Sequence, residues 1–247
     1  MSNLVSVIIP FYKKHEYINE TIDSILNQTY QNFEILIIHD DPLDEKIDNI
    51  LNLKTKDERI RVISNQKNIG AGLSRNKGIS DSVGEYIAFL DADDLWLKDK
   101  LEVQINFMEN NKYDFSHTSY CIIDNNKKIL SKRSAKKNIL FDDLIKSCDI
   151  GLSTVIVKKK ILLKNNFPAL TTKEDFVLWL NLSKQGVKMF GLDQYLVYWR
   201  KTQNSLSTNL FQKIIDGFRV YYIYMGYNFL KSVYSLIILS LNFLKKK

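Results

Sequence analysis

The sequence predicts an α/β fold in which a mostly parallel central sheet is flanked by helices. Through the first hundred residues, short apolar runs alternate with segments of helical periodicity, so that each strand is followed by a helix. That order requires right-handed crossovers between parallel strands. Acidic residues stand directly after two of the apolar runs, at the strand ends where open α/β sheets bind their ligands.

The predicted elements of the first half alternate strictly between strand and helix. Residues 5–9, which precede Pro10, are mostly apolar and predict the first strand. Apolar residues then recur at helical spacing through residues 15–29, which predicts the first helix. Further strands are predicted at residues 33–38, at residues 60–64 and from Tyr86 onward, with helices at residues 44–53, 73–82 and 98–110.

The second half has weaker periodicity and shorter predicted elements. Residues 113–123 and 128–130 are expected to pair as a hairpin around an Asp-Asn-Asn turn. We also expect a short helix at 141–147, a strand at 154–157, a helix at 174–185 and one or two strands within 189–200. One continuous domain is therefore expected over residues 1–208, followed by a helical tail over residues 209–247.

Composition bounds the class of protein. The chain has 247 residues, 45% of them hydrophobic and 26% charged, which is typical of a globular protein with a buried core. Its two cysteines, Cys121 and Cys148, form neither a metal-ligand spacing nor a disulfide framework, which favours a reducing compartment. The chain enters a strand pattern by Leu4 without a basic and then apolar run, so no signal peptide is expected.

The net charge of +7 is concentrated at one end of the chain. From Leu210 onward there are six cations and one acid, so this tail carries +5 of the total among apolar and aromatic residues. A nucleic-acid binder usually spreads basic charge over a folded face, and no nucleic-acid partner is expected. Residues 232–244 are uncharged but too few to span a bilayer, which takes about 20 residues. The tail therefore indicates an interfacial helix on an anionic membrane, or else a helix packed on the domain with solvated lysines.

The most informative segment is the apolar run from Tyr86 to Leu90, because three carboxylates follow it. Asp91, Asp93 and Asp94 stand at the carboxyl end of the predicted strand. Carboxylate oxygens are the ligands of Mg²⁺ or Mn²⁺, which usually bring a substrate phosphate with them. The alternative is an acidic loop that caps the next helix, with Asp94 at the N-cap.

A second acidic pair, Asp40-Asp41, follows the second predicted strand and should face the same edge of the sheet. Its carboxylates can accept hydrogen bonds from a nucleobase or a ribose. A solvated turn before Pro42 is the alternative. After the third strand, a glycine-containing loop leads into a helix whose first turn carries Arg75, within reach of a phosphate or a base.

Two further pairs carry candidate chemistry. Glu174-Asp175 opens a helix beside Trp179, where a carboxylate can act as a general base, although acids in a first turn also stabilise the helix dipole. Arg200 and Lys201 precede a polar loop and can clamp a diphosphate, the alternative being a pair of surface charges.

The order of these motifs resembles that of the family 2 glycosyltransferases, whose nucleotide-sugar-binding fold is called GT-A. The resemblance runs from about Leu4 to Ser207, and the segments 117–120 and 151–155 are most similar to enzymes that build teichuronic acids, capsules and lipopolysaccharide. The segments that carry it are residues 5–12, 24–34, 68–79, 84–96, 173–175 and 204–207.

The resemblance implies roles position by position. Asp93 matches the metal ligand, Asp91 lies near the ribose and the metal, and Asp175 matches the catalytic base. The cofactor is then a divalent metal, Mn²⁺ or Mg²⁺, and the reaction is an inverting transfer from a nucleotide-activated sugar, expected to be UDP-linked. The nucleotide-sugar site implied for this chain comprises Pro10, Tyr12, Asp40, Asp41, Arg75, Asp91, Arg200 and Lys201.

Two positions depart from the family pattern. The family usually continues its Asp-Asp pair with Gly-Ser-Thr-Asp, but here the chain reads Pro42-Leu43-Asp44-Glu45, and proline removes a backbone donor. Many relatives also carry a histidine where Thr202 aligns, so that a role for this histidine at the diphosphate cannot be transferred.

The function expected is assembly of a bacterial surface polysaccharide on the cytoplasmic face of the plasma membrane. The acceptor is a saccharide or a lipid-linked saccharide, and an anionic membrane is a partner of the tail. The departures at Pro42 and Thr202 leave open a non-catalytic partner that binds a nucleotide sugar or scaffolds a membrane assembly. A nucleotidyltransferase is disfavoured because no glycine-rich phosphate loop follows the first strand.

Overall fold

The computed structural model describes residues 3–202 and 210–245, and its first half is a parallel sheet with helical crossovers. The strand order is β3-β2-β1-β4, and each neighbouring pair runs parallel. Two of these strands, β2 and β4, carry the acidic residues at their carboxyl ends. The bounds of the four strands are β1 Val5–Phe11, β2 Phe33–His39, β3 Ile60–Ser64 and β4 Tyr86–Phe89.

The second half extends the same sheet in the order β4-β9-β6-β10-β5, with β7 beside β6 and β8 beside β10. Here β6 and β10 run parallel to each other, whereas β5, β7, β8 and β9 pair antiparallel with their neighbours. The bounds are β5 Leu95–Trp96, β6 Phe115–Ile123, β7 Ile129–Arg133, β8 Asn138–Ile139, β9 Ile156–Lys158 and β10 Met189–Arg200.

Helices cover both faces of the sheet, and two more form the tail. Those of the domain are α1 Ile18–Leu26, α2 Ile47–Leu51, α3 Ala71–Asp81, α4 Lys100–Asn111, α5 Phe141–Leu144, α6 Lys159–Leu162 and α7 Glu174–Lys184. The tail consists of α8 Leu210–Arg219, a π-helical turn Val220–Tyr224 and α9 Phe229–Leu244.

The core has one layer on each face of the sheet, because alternate strand residues point to opposite sides. Ile8 belongs to the layer beneath α7, and its neighbours Val7 and Ile9 belong to the layer beneath α1 and α4. Trp179 of α7 is fully buried and packs edge-on against Phe115 of β6, at 5.1 Å between ring centroids. The Glu174-Asp175 pair at the start of α7 is therefore anchored through a large aromatic.

The predicted α/β architecture is confirmed, with a local difference at the start of α1. Helix α1 begins at Ile18 rather than residue 15, because the chain turns at Lys13, whose φ is +54°. Residues 189–200 form one strand, whose register against β6 shifts twice between Leu192 and Val197. Such irregularities break the period-2 alternation, which explains the weak strand signal there.

The tail packs on the domain. The Tyr221 hydroxyl donates to the Ile145 carbonyl at 2.8 Å, and the Asn242 amide donates to the Lys146 carbonyl at 3.0 Å. Among the described residues, no helix combines the length and apolarity needed to cross a membrane.

Candidate active site

Arg75 joins the two acidic motifs that lie farthest apart in the sequence. One Nη atom donates to Asp91, directly after β4, at 2.6 Å, and the other donates to Glu174, at the start of α7, at 2.7 Å. The guanidinium is almost fully buried and lies over the Phe167 ring. Buried charges are retained when they are paired, and the planar fork of arginine suits two carboxylates at once. The Asp91 and Glu174-Asp175 motifs therefore lie on either side of Arg75, and we call the surface between them the cleft.

The approach of α3 to this cleft depends on Gly72. A Cβ atom at Gly72 would lie 3.0 Å from Glu174 Cγ and 3.0 Å from the Pro168 carbonyl oxygen. Any larger side chain would push the first turn of α3 away from α7 and take Arg75 with it. Gly72 is therefore needed for the close packing of α3 against α7.

Asp175 is half-buried beside Glu174, with one oxygen accepting the Phe176 N–H at 2.7 Å. Burial raises the pKa of Asp175 above its usual range, Arg75 opposes the rise, and the charge of Asp91 adds to it. Burial likewise raises the pKa of Glu174 to about 7. A carboxylate with a raised pKa in a sheltered cleft is suited to accept a proton, and Asp175 is close enough to Asp91 to feel its charge.

Asp93 is held by a cation of the protein itself. Lys14 Nζ lies 2.7 Å from Asp93 Oδ2 and 3.0 Å from the Thr202 hydroxyl, which in turn donates to Asp93 at 3.3 Å. Burial raises the pKa of Asp93 and the Lys14 ammonium opposes the rise. The position aligned with a histidine in many relatives is thus filled here by a threonine that works together with a lysine.

Asp93 and Asp91 are the residues that would hold a divalent metal. Within residues 3–202 and 210–245 there is no cluster of three histidine, cysteine or acidic side chains that could hold one. Mg²⁺ and Mn²⁺ need only one or two protein carboxylates when substrate phosphates complete the coordination. Asp93 already holds a cation in the form of the Lys14 ammonium, so its carboxylate is placed to hold a metal, with Asp91 beside it.

Arg200 points inward rather than into open space. Its Nε donates to the Asp93 carbonyl at 2.9 Å, one Nη pairs with Glu20 at 2.6 Å, and its backbone N–H donates to Asp94 at 2.9 Å. Asp94 is fully buried and also accepts the Ser153 hydroxyl. These contacts fix the loop that carries Asp93, and a direct contact of Arg200 with a diphosphate stays a prediction. Lys201 is exposed beside it.

Asp40 is also turned toward the protein. Its carboxylate accepts the Asn65 amide at 2.8 Å and the backbone N–H groups of Ile69 and Gly70 at 2.9 and 2.8 Å, which anchors the loop before α3. Asp41 is buried as well. At the end of β1, Pro10 is half-buried and Tyr12 is 40% exposed. The nucleotide roles of these residues stay predictions.

Sequence reasoning missed the cluster that holds the altered turn after Asp41. Asp44 accepts a hydrogen bond from His15 and another from His39, each at 2.9 Å through the histidine Nε2. The departure from the family pattern at Pro42 was a signal that this turn needs other support. The missed contribution of Lys14 had no such signal, because its partners Asp93 and Thr202 are distant in the sequence. The segment 204–207, which contributes to the family resemblance, lies outside the described residues.

Comparison with solved structures identifies the fold. Among solved structures, S. aureus TarS 1–349 in complex with UDP-GlcNAc superposes with a TM-score of 0.73 at 20% identity, covering 97% of this chain and 71% of that one. The mannosyltransferase PcManGT from Pyrobaculum calidifontis, in complex with GDP-Man and Mn²⁺, superposes with a TM-score of 0.69 at 13% identity, covering 91% and 64%. The fold is therefore that of the GT-A glycosyltransferases.

Sequence comparison narrows the class to a family. The pattern described as Glycosyl transferase family 2 matches residues 6–167. The putative teichuronic acid biosynthesis glycosyltransferase TuaG of Bacillus subtilis is 34% identical over 99% of this chain and 97% of its own length. The β-1,3-glucosyltransferase WfgD of Escherichia coli, which uses UDP-Glc and α-D-GlcNAc-diphosphoundecaprenol, is 36% identical over 85% and 82%. The chain belongs to glycosyl transferase family 2 and is a glycosyltransferase.

Proposed function

We propose that the protein is an inverting, metal-dependent glycosyltransferase that moves a sugar from a UDP-sugar to a hydroxyl of a growing bacterial surface polysaccharide. The observation that supports it most strongly is the Arg75 fork, which brings the carboxylates after β4 and those at the start of α7 to one cleft. One carboxylate group then faces the donor and the other faces the acceptor.

Asp175 is the proposed base. As the acceptor oxygen attacks the anomeric carbon from the face opposite the leaving group, Asp175 takes the proton of the hydroxyl. Attack from that face inverts the configuration at the anomeric carbon. Arg75 steadies both the base segment and Asp91 during this step, because its fork holds Glu174 and Asp91.

Negative charge develops on the nucleoside diphosphate as it leaves. A divalent metal held by Asp93 and Asp91 would supply a Lewis acid against that charge. Asp41, Pro10 and Tyr12 are proposed to contact the nucleoside, and Lys201 the diphosphate. Arg200 and Asp40 act mainly by holding the loops on which these groups sit, since their own polar atoms are already bonded within the protein.

The setting proposed is the cytoplasmic face of the bacterial plasma membrane, with residues 1–208 as the catalytic domain. The relatives TuaG and WfgD support a role in envelope polysaccharides, and the name of WfgD specifies a lipid-linked acceptor. An acceptor on a polyprenyl carrier places the enzyme beside a membrane surface.

The proposed membrane contact is the exposed face of the tail, residues 209–247. Along α9, exposed apolar side chains recur at intervals of four and three residues, which puts them on one stripe. Exposed Lys231 and Lys245 lie at the two ends of α9, and exposed Phe211 and Ile214 continue the apolar surface on α8. Apolar side chains with lysines beside them are suited to an anionic interface. The stripe consists of Leu230, Tyr234, Ile237, Leu241 and Leu244.

The test is a donor panel on the full-length protein. UDP-, GDP- and dTDP-sugars are incubated with Mn²⁺ and with GlcNAc-diphosphoundecaprenol or a related lipid-linked acceptor, and release of nucleoside diphosphate is measured. We expect release from one UDP-sugar, lost on chelation and in Asp93→Asn. Tight UDP binding without release from any donor would instead favour a non-catalytic partner.

A further inference from the structure

A buried carboxylate of the tail contacts the segment that leads into the proposed base. Asp216 of α8 is fully buried, and its Oδ2 atom accepts both the backbone N–H and the hydroxyl of Thr172, each at 3.0 Å. Its Oδ1 atom faces Arg219 at 3.3 Å. Thr172 lies three residues before Asp175, although Asp216 belongs to a part of the chain 44 residues away.

The chain between Thr172 and Asp175 has an unusual conformation. Lys173 has a φ of +64°, in the left-handed region that residues other than glycine adopt uncommonly. It immediately precedes α7, so this one residue sets the direction from which Glu174 and Asp175 enter the cleft. Such a backbone conformation persists only when the surroundings hold it.

Two features of α8 hold it. The first is the pair of hydrogen bonds from Thr172 to Asp216, which fix the residue just before the turn. The second is Gly217, where a Cβ atom would lie 2.7 Å from Leu236 Cδ1 and 3.5 Å from Lys173 Cε, so α8 lies against the stem of Lys173. The segment is thus fixed by Asp216 on the tail side and by Arg75 on the cleft side.

We propose that Asp216 is a positioning residue for catalysis, and that the tail is therefore a working part of the active site. Through Thr172 it sets the direction in which Asp175 points. This inference rests on the proposed function, in which Asp175 is the base. A buried carboxylate is costly unless its oxygens are bonded, and here one oxygen pairs with Arg219 of the same helix while the other accepts both hydrogen bonds from Thr172, in the loop before the base.

The experiment uses the full-length protein, four single variants and one double variant. Asp216→Asn keeps the shape of the side chain but removes its charge, and Thr172→Val removes the hydroxyl, whereas Thr172→Ser keeps it. Asp175→Asn is the reference for loss of the base. For each variant, kcat, the KM for the donor and the Kd for UDP with Mn²⁺ are measured, together with the melting temperature.

We expect kcat of Asp216→Asn to fall by about 10- to 100-fold, because small misplacements of a catalytic group cost up to about that much. The Kd for UDP should change by less than about twofold, since the donor side is not touched. Thr172→Val should lose several-fold in kcat and Thr172→Ser should be close to the wild type. The double variant Asp216→Asn with Thr172→Val should be little worse than Asp216→Asn alone, because both changes weaken the same contact.

The outcomes separate the two proposals. If Asp216→Asn and Thr172→Val lower the melting temperature while kcat per folded enzyme stays at the wild-type value, Asp216 is only structural and the inference is overturned. Equal losses in kcat and in UDP affinity would also overturn it. Should Asp216→Asn fail to fold, Thr172→Val against Thr172→Ser gives the same decision. Near-normal turnover of Asp175→Asn would instead remove the base assignment of the proposed function.

Discussion

The two sides of the cleft are built by different kinds of contact. The donor side consists of the strand-end segments 40–44 and 91–94, and most of its polar contacts are made to backbone groups and loops around the same sheet edge. The base side consists of residues 172–175, and its contacts reach Arg75, 99 residues from Glu174, and Asp216 in the tail. The donor side is therefore held by residues around one edge of the sheet, whereas the base side is also held by the tail.

Asp175→Asn should give the largest effect. Loss of the general base typically costs about 10²- to 10⁴-fold in rate, and kcat should fall by that amount while UDP affinity is retained. Turnover with a lipid-linked acceptor measures kcat, and calorimetry with UDP and Mn²⁺ measures UDP affinity. Asp142→Asn, at an exposed acid on α5, is the matched control. A drop confined to donor affinity would assign Asp175 to the donor side.

Arg75→Met should destabilise the fold and disconnect the two sides. Breaking a buried ion pair by removing one partner costs about 3–5 kcal/mol, since Asp91 and Glu174 lose their shared cation. Urea denaturation of the purified variant measures the change in the free energy of unfolding. Arg75→Lys, which keeps the charge but loses the fork, should be less severe. Wild-type stability in Arg75→Met would show that the link is dispensable.

Asp44→Asn tests the donor side with the same chemical change as in Asp175→Asn. Its carboxylate joins His15, His39 and the Lys46 N–H, so loss of its charge should loosen the turn after Asp41. Hydrogen bonds to charged groups contribute about 1.5–3 kcal/mol, and partial loss predicts a donor KM raised about 10-fold with kcat almost unchanged. Glu45→Gln, at an exposed neighbour, is the control. A fall in kcat without a change in the donor KM would contradict the assignment of Asp44 to the donor side.

The pH dependence of kcat should show the environment of the base. Burial raises the pKa of Asp175, and only the ionised carboxylate accepts a proton, so kcat should rise with pH through that pKa and then level off. The acid limb should therefore lie above the value of about 3.9 for a free aspartate. The charge of Arg75 opposes the rise in the pKa of Asp175, so Arg75→Met should move the acid limb of kcat to higher pH. Arg75→Lys keeps the charge and should move the acid limb less. An acid limb at or below the free value would contradict burial of the base.

The smallest effect is expected on the outer face of the tail. Ile237→Glu with Leu241→Glu should reduce sedimentation with anionic phosphatidylglycerol vesicles several-fold, because both side chains are exposed on the apolar stripe. Turnover of a water-soluble acceptor should stay the same. Leu163→Glu, at an exposed leucine of the catalytic domain, controls for added charge. The wild type could instead form dimers and fail to bind vesicles. If the double change disrupts those dimers, the stripe is an interface with a second copy of the chain.

The sequence predicts the local features of this molecule better than its long-range contacts. The order of strands and helices and the place of Asp91 and Asp93 follow from local hydrophobic periods and from the rule for strand ends. The inward turn of Arg200 could not be predicted, because its partner Glu20 lies 180 residues away. The same holds for Lys14 on Asp93 and for Asp216 on Thr172. The alternation of β10 is weak in the sequence because its register against β6 shifts twice.

Helix α8 has a practical consequence for the design of shortened forms of this enzyme. An apolar C-terminus invites removal to improve yield or solubility. Cutting before residue 210 would also delete the acceptor for the Thr172 N–H and tail side chains of the core such as Tyr221 and Met225. If the inference about Asp216 holds, an inhibitor screen on such a fragment would overlook compounds that act through the base side.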